Sequence, residues 1–322
     1  MIKIGFISLG CSKNLVDTEV MLRTLHDAGF EITPDESEAE IIVVNTCGFI
    51  ESAKSESIDT ILELANLKKD AKCKYLIATG CLVERYREEV MNELPEIDAL
   101  VGVGSLDKIA EACQAVMRGE KYLSFEDKEK SKLGGDRIIS TPPYTAYLKI
   151  AEGCDNKCTY CAIPLIRGRL RSRPIEDIVK EAKELSELGV VELNLIAQDT
   201  SRYGLDLYGE YSLVKLVRAI CENTDIPWIR LLYCYPDKIT DELIAELRDN
   251  DRLLKYMDIP IQHISDKVLS LMNRHGGSEL IKSTVNKLRS EVPGIVLRTT
   301  AMVGFPGEDE EDFTKLCEFC KE

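Results

Sequence analysis

Residues 154–161 read Cys-Asp-Asn-Lys-Cys-Thr-Tyr-Cys, which places Cys154, Cys158 and Cys161 in a CxxxCxxC spacing. With 12 cysteines in 322 residues, this spacing is expected by chance about 0.02 times in the chain. Soft thiolates at turn spacing are typical ligands of zinc or of an iron–sulfur cluster. Residues 140–170 contain no fourth cysteine and no histidine to close a zinc site. The triplet therefore leaves one metal position open.

The triplet follows the first strand in a series of five βα units in the second half of the chain. The predicted strands are Ala146–Ile150, Val191–Ile196, Trp228–Leu232, Tyr256–Ile259 and Ile295–Met302. The predicted helices between them include Ile175–Leu188, Leu213–Cys221, Asp241–Asn250 and Glu279–Glu291. Successive βα units predict a barrel or partial barrel, in which active sites lie at the carboxyl ends of the strands. The triplet occupies such a position.

The first third of the chain alternates buried strands with amphipathic helices, a pattern that predicts an α/β fold with a doubly wound parallel sheet. Its predicted strands are Ile2–Leu9, Ile41–Asn45, Tyr75–Thr79 and Ala99–Val103. A charged, Gly- and Pro-containing stretch follows and predicts a linker. We therefore expect a domain over residues 1–123, a linker over 124–143 and a second domain over 144–322.

Three further cysteines, Cys11, Cys47 and Cys81, each end a predicted strand of the first domain, and a glycine flanks each of them. Ligands of open α/β sheets bind outside the carboxyl ends of the strands, so these thiols are expected to converge. Each cysteine alone is also consistent with a small core residue. The repeated context instead favours a three-cysteine 4Fe–4S cluster here, in addition to the metal site at residues 154–161. The glycines would let the backbone approach this cluster.

The chain is acidic, with a formal net charge of -15. This charge disfavours a nucleic-acid partner and favours a basic one. No apolar run approaches the length of a membrane span, and the N-terminus lacks the features of a signal peptide. We expect a cytoplasmic protein, in which clustered cysteines bind metal or act in redox chemistry.

Residues 154–161 resemble the signature of the radical S-adenosylmethionine (SAM) enzymes. The resemblance implies a partial (βα)6-type barrel and a 4Fe–4S cluster whose open iron binds SAM through its amino and carboxylate groups. Reductive cleavage of SAM would then yield a 5′-deoxyadenosyl radical. The order of a cluster domain followed by this domain resembles the methylthiotransferases, which insert a methylthio group at an unreactive C–H bond.

Three segments are similar to the RimO branch of that family: residues 8–19, 47–54 and 163–174. The resemblance implies an aspartate of ribosomal protein S-twelve as substrate, modified at its β-carbon with two clusters and two SAM molecules. It also implies a reductant such as flavodoxin or ferredoxin, and a sulfur donor. By the same resemblance, the residues that contact SAM are Tyr160, Gln198, Asp199, Arg298 and Val303.

Simpler interpretations remain open for some of these residues. Gln198 and Asp199 are also consistent with capping the next segment, and Arg298 with a surface ion pair. The basic run Arg167, Arg169, Arg171 and Arg173 is expected to be a solvated face, with contact to the substrate carboxylate or the cofactor as the alternative. We expect the remaining cysteines to be core residues, Cys317 and Cys320 included.

Two other functions compete with the first. One is the same chemistry on a tRNA adenosine, which the net charge and the RimO-like segments disfavour. The other is a zinc-binding or electron-carrying module without catalysis, which needs no open triplet. Family members continue into a sixth barrel strand and a small TRAM domain, so this chain, ending at Glu322, is expected to be a C-terminally truncated piece.

Overall fold

A computed structural model describes all 322 residues and contains two compact units. The first comprises Met1–Ser140 and Ala162–Arg169, and the second comprises Thr141–Cys161 and Leu170–Glu322. Most of the stretch predicted as a linker, residues 124–140, folds with the first unit. The short segment Ala162–Arg169 does so too, although the chain on both sides of it belongs to the second unit.

The first unit is an α/β structure built on six strands. These are β1 (Lys3–Ser8), β2 (Glu31–Thr33), β3 (Ile41–Thr46), β4 (Tyr75–Gly80), β5 (Ala99–Val101) and β6 (Tyr122–Ser124). Its helices are α1 (Ser12–Asp27), α2 (Glu51–Asp70), α3 (Cys81–Glu93), α4 (Ile109–Met117) and α5 (Ile163–Arg167). The sheet order is β2-β1-β3-β4-β5-β6, and every neighbouring pair is parallel.

The central strand β3 is buried on both faces, which explains the unbroken apolar run over residues 41–44. Ile42 and Val44 pack with side chains of α2 and α3, whereas Ile41 and Val43 pack with side chains of α1 and α4. Helices on both faces of a parallel sheet define the doubly wound arrangement, so this part of the fold prediction is confirmed. The three-residue strands β2 and β6 were missed because runs this short carry little periodicity.

The second unit is also α/β, and its main sheet has five strands. The whole unit contains seven strands: β7 (Thr145–Lys149), β8 (Ala151–Glu152), β9 (Arg171–Ser172), β10 (Glu192–Ile196), β11 (Trp228–Leu231), β12 (Leu253–Asp258) and β13 (Val296–Arg298). Its helices are α6 (Ile175–Glu187), α7 (Leu205–Tyr208), α8 (Leu213–Asn223), α9 (Asp241–Asp249), α10 (Asp266–Leu271), α11 (Gly277–Glu291) and α12 (Glu310–Lys321).

The main sheet runs β7-β10-β11-β12-β13, with all pairs parallel, while β8 and β9 form a small antiparallel pair. Parallel strands in sequential order with intervening helices match the predicted partial barrel. The last strand ends at Arg298, four residues before its predicted end. None of the helices combines the length and the apolar character needed to cross a membrane.

Candidate iron–sulfur and cofactor sites

Cys11, Cys47 and Cys81 lie at the same edge of the first sheet. Cys11 is the N-cap residue of α1, Cys47 directly follows β3, and Cys81 is the first residue of α3. They follow β1, β3 and β4, which are consecutive strands in the sheet. Neighbouring strands are about 4.8 Å apart, so the sheet itself brings the three thiols into one neighbourhood.

The flanking glycines let these cysteine-bearing segments touch. A Cβ on Gly10 would lie 2.7 Å from Cys47 Cβ, and one on Gly48 would lie 2.7 Å from Leu82 Cα. A Cβ on Gly80 would lie 2.6 Å from the Thr46 carbonyl oxygen, and the φ angle of Gly80 is +94°. The sequence suggested that these glycines admit a cluster. The contacts observed at them are between protein segments, and they hold the three cysteine loops together.

Burial sets the chemistry of these thiols. Cys47 and Cys81 are buried, whereas Cys11 is exposed. Burial raises the pKa of the Cys81 thiol to about 11, although the nearby Arg167 guanidinium acts in the opposite direction. Burial also raises the pKa of Cys47. These two thiols therefore hold their protons without metal, and metal binding must displace them.

A polar network lies directly behind Cys81. The side-chain amide of Asn14 donates to the Leu9 and Thr46 carbonyl oxygens at 3.0 and 2.9 Å. Its Oδ1 atom accepts a hydrogen bond from Arg167 Nη2 at 2.5 Å and lies 3.5 Å from Cys81 Sγ. Asn14 lies inside α1 and is fully buried.

The basic run is only partly solvated. Arg169 is exposed and Arg171 is half-buried, but Arg167 and Arg173 are buried. Arg173 Nη2 pairs with Glu181 at 2.7 Å and its Nη1 donates to the Lys149 carbonyl oxygen. The expectation of a solvated face is therefore wrong for Arg167 and Arg173. Arg167 pairs with Asp17, 150 residues away in sequence, so local charge patterning gave no signal for that contact.

Cys154, Cys158 and Cys161 lie on the loop after β8 in the second unit. The sulfur of Cys158 is in contact with the hydroxyl of Tyr235, a residue that the sequence analysis missed. Burial raises the pKa of the Cys154 thiol to about 12, and the carboxylate of Asp199 adds to that shift. The second triplet is thus also partly desolvated, and Cys154 lies close to Asp199, one of the residues predicted to bind the cofactor.

Asp199 and Gln198 follow β10, the strand next to β7. Asp199 accepts hydrogen bonds from Asn156 Nδ2 at 2.7 Å and Ser201 Oγ at 2.5 Å, and burial raises its pKa. The amide nitrogen of Gln198 donates to Glu152, while its Oε1 atom is buried without a hydrogen-bond partner. Asn156 lies within the cysteine loop, so Asp199 is tied directly to that loop.

The other predicted cofactor contacts lie on the cysteine loop and at the end of the last strand of the second unit. The ring of Tyr160 packs edge-on against Phe305, with ring centroids 6.3 Å apart, and its hydroxyl accepts from Arg274 Nη1 at 3.3 Å. Arg298 ends β13 and pairs with the buried Asp258 at 3.1 Å, as its simpler interpretation anticipated. Val303 is exposed.

None of the twelve cysteines forms a disulfide. Three cysteines outside the triplets are buried as expected, namely Cys73, Cys113 and Cys234. Cys320 is exposed on α12, so the expectation that it is a core residue is wrong. No group of three or more His, Cys, Asp or Glu side chains is arranged to hold one metal ion. A 4Fe–4S cluster binds each thiolate through a different iron, so that finding concerns single ions only.

The two triplets fit iron–sulfur clusters in their donor chemistry. Each supplies three cysteine side chains that form no disulfide, and thiolate is the usual ligand of such clusters. In the first unit the thiols lie on segments that are in mutual contact at one sheet edge. In the second, the orphaned Oε1 atom of Gln198 is a buried acceptor that a bound cofactor could satisfy.

Two known protein families match separate parts of the chain. Residues 3–102 match the uncharacterized protein family UPF0004, and residues 148–320 match the radical SAM superfamily. The chain therefore belongs to the radical SAM superfamily, whose members use SAM and a 4Fe–4S cluster.

Relatives narrow the assignment. The chain is 54% identical to the ribosomal protein uS12 methylthiotransferase RimO of Acetivibrio thermocellus, over 99% of this chain and 72% of that protein. It is 51% identical to the RimO protein of Thermoanaerobacter sp., over 100% of this chain and 74% of that protein. Within the superfamily, the chain belongs to the RimO family of SAM-dependent methylthiotransferases.

Solved structures show the same fold at low sequence identity. The radical SAM methyltransferase TsrM from Kitasatospora setae, with cobalamin and a 4Fe–4S cluster bound, matches with a TM-score of 0.71 at 16% identity, covering 100% of this chain and 73% of that one. The cobalamin-dependent SAM radical enzyme OxsB matches with a TM-score of 0.64 at 12% identity, covering 100% of this chain and 52% of that one.

Proposed function

We propose that this chain adds a methylthio group to the β-carbon of an aspartate of ribosomal protein uS12. The proposal uses two 4Fe–4S clusters, one at Cys154, Cys158 and Cys161 and one at Cys11, Cys47 and Cys81. The observation that carries it is the second set of three cysteine segments packed at one sheet edge. A superfamily member that only generates a radical needs one cluster, whereas sulfur insertion needs a place to hold the sulfur.

In this proposal two bound SAM molecules would supply the methyl group and the 5′-deoxyadenosyl radical, and the cluster at Cys11, Cys47 and Cys81 would hold the sulfur that comes from the donor. The chain binds and orients them. Tyr160 offers an aromatic face to the adenine, and Gln198 and Asp199 contact the methionine end of SAM. Arg298 and Val303 border the same cofactor from the end of β13.

The Gln198 and Asp199 roles rest on two features of the structure. The buried Oε1 atom of Gln198 has no partner and can accept from the SAM amino group, while Glu152 fixes the other end of the amide. Asp199 is held by Asn156 of the cysteine loop, so its position follows that of the loop. Both residues are positioned rather than mobile, which favours preorganised binding.

Charge favours a protein over a tRNA substrate. The net charge is -15, and two of the four arginines in the basic run, Arg167 and Arg173, are buried in ion pairs. That run therefore offers little surface for phosphates, which dominate the affinity of nucleic-acid binding. An acidic surface instead attracts a basic ribosomal protein. We place the reaction in the cytoplasm, with a flavodoxin- or ferredoxin-type reductant and a separate sulfur donor.

The test is a substrate competition with the anaerobically reconstituted chain, SAM, sulfide and a chemical reductant. Formation of 5′-deoxyadenosine, with methylthio mass added to uS12 and none added to tRNA, supports the proposal. Modification of tRNA alone would refute the substrate assignment. Zinc in place of iron, or no SAM cleavage, would refute the enzymatic proposal. In the same assay, the proposal predicts that Cys81→Ala adds no methylthio mass to uS12. Cys113→Ala is its matched control, because Cys113 is a buried thiol of the same unit outside both triplets.

A further inference from the structure

Arg167 is a buried charge with an unusual set of partners. Its side chain is 3% exposed, and it ends helix α5 within the segment that folds with the first unit. An ionised side chain is costly to bury unless charges and hydrogen bonds compensate it. The identity of its partners therefore indicates what the residue does.

Two of the partners belong to α1. The Nη1 atom lies 2.6 Å from Asp17 Oδ2, and the Nη2 atom donates to Asn14 Oδ1 at 2.5 Å. Asp17 is itself buried, so this ion pair is shielded from solvent. Since Asn14 is fixed by two backbone carbonyls, the guanidinium is held in one orientation.

The third partner is a proposed cluster ligand. Arg167 Nη2 lies 3.2 Å from Cys81 Sγ, within hydrogen-bonding distance for sulfur. A buried donor aimed at a ligand sulfur stabilises negative charge there, and cluster potentials depend on such hydrogen bonds and on nearby charge. Reduction adds an electron to the cluster, so the same contact favours the reduced state.

We propose that Arg167 is a positioning residue for the Cys81 thiolate, whose N–H···S hydrogen bond raises the reduction potential of the cluster at Cys11, Cys47 and Cys81. This inference rests on the proposed function, because it requires that cluster to exist. Asp17 and Asn14 hold the guanidinium, and Arg167 acts on the sulfur. Lysine keeps the charge but cannot reproduce the planar fork that reaches all three partners.

The experiment uses the full chain with Cys154→Ala, Cys158→Ala and Cys161→Ala as the parent, so that the cluster of the first unit is the one measured. Reconstituted protein is titrated with reductant under anaerobic conditions and followed by electron paramagnetic resonance. Arg167→Gln and Arg167→Lys are compared with the parent. Arg173→Gln is the matched control, since Arg173 is an equally buried, ion-paired arginine of the same run.

We expect Arg167→Gln to lower the equilibrium constant for one-electron reduction of the cluster at least tenfold, which is a shift of about 59 mV to lower reduction potential. Arg167→Lys should fall between Arg167→Gln and the parent, and Arg173→Gln should stay within threefold of the parent. An unchanged potential in an iron-loaded Arg167→Gln overturns the inference, as does an equal shift in Arg173→Gln. If Arg167→Gln loses its iron, Arg167→Lys decides, and a potential equal to the parent's overturns the inference. A parent that binds no iron refutes the two-cluster function itself.

Discussion

Replacing Asn14 with alanine tests whether the polar network behind the thiols holds the first unit together. Asn14 is fully buried, and its side chain satisfies the backbone carbonyls of Leu9 and Thr46. These carbonyls belong to the segments that lead into Cys11 and Cys47. The substitution removes both hydrogen bonds and takes a partner from Arg167.

The magnitude follows from the two lost hydrogen bonds. Each contributes about 1 kcal/mol, and a buried acceptor left without a partner costs roughly 1–3 kcal/mol. Alanine is the better helix former, which offsets about half a kcal/mol. We expect a net destabilisation of the first unit by about 3 kcal/mol, which is roughly a hundredfold in the opening equilibrium.

The assay is hydrogen exchange at the β3 amides of the apo chain, because two compact units need not unfold in a single step. Asn66→Ala is the control, since Asn66 is an exposed helical residue with one side-chain hydrogen bond, 3.3 Å long, to the Leu62 carbonyl. Exchange in Asn14→Ala should accelerate about a hundredfold. Acceleration below about threefold, or equal acceleration in the control, would show that the network does not support this sheet edge.

Three further predictions concern single positions. Gly80→Ala should lower the iron bound by the first unit, because a Cβ would lie 2.6 Å from the Thr46 carbonyl oxygen. Bound iron is measured by elemental analysis, and Gly119→Ala is the control because a Cβ at Gly119 meets nothing within 4 Å. The rate of Cys81 alkylation in the apo chain should rise about tenfold per pH unit up to about pH 11, because burial raises the pKa of this thiol and the thiolate is the reactive form. The rate is measured by peptide mapping, and a Cys81 as reactive as the exposed Cys11 at pH 8 would contradict this prediction. Gln198→Ala should raise the KM for SAM about tenfold with a smaller change in kcat, since one good hydrogen bond is lost; an unchanged KM would remove Gln198 from the cofactor site.

The sequence predicted the central strand of the first sheet well because that strand contains a continuous apolar run over residues 41–44. Ile41–Thr46 is buried throughout, and such a run between amphipathic helices has few alternative structures. The cysteine positions were also predictable, since three similar strand ends in one parallel sheet must share an edge. Strands β2 and β6 have three residues each, too few to show a period.

The contacts of Arg167 were not predictable. Arg167 and Asp17 are 150 residues apart in sequence, and the ion pair forms because Ala162–Arg169 packs on the first unit. Neither charge pattern nor periodicity indicates that this short segment belongs to the first unit while the residues on both sides of it belong to the second. The contact between Tyr235 and Cys158 was missed for the same reason, since it depends on how two loops of the second unit meet.

The central claim is that Cys11, Cys47 and Cys81 hold a cluster independently of Cys154, Cys158 and Cys161. The most direct test is iron per chain after anaerobic reconstitution of the wild-type chain and of the two triple Cys→Ala variants. We predict about eight irons in the wild-type chain and about four in each triple variant, with an iron–sulfur spectrum in both. A variant lacking Cys154, Cys158 and Cys161 that binds no iron would contradict the account.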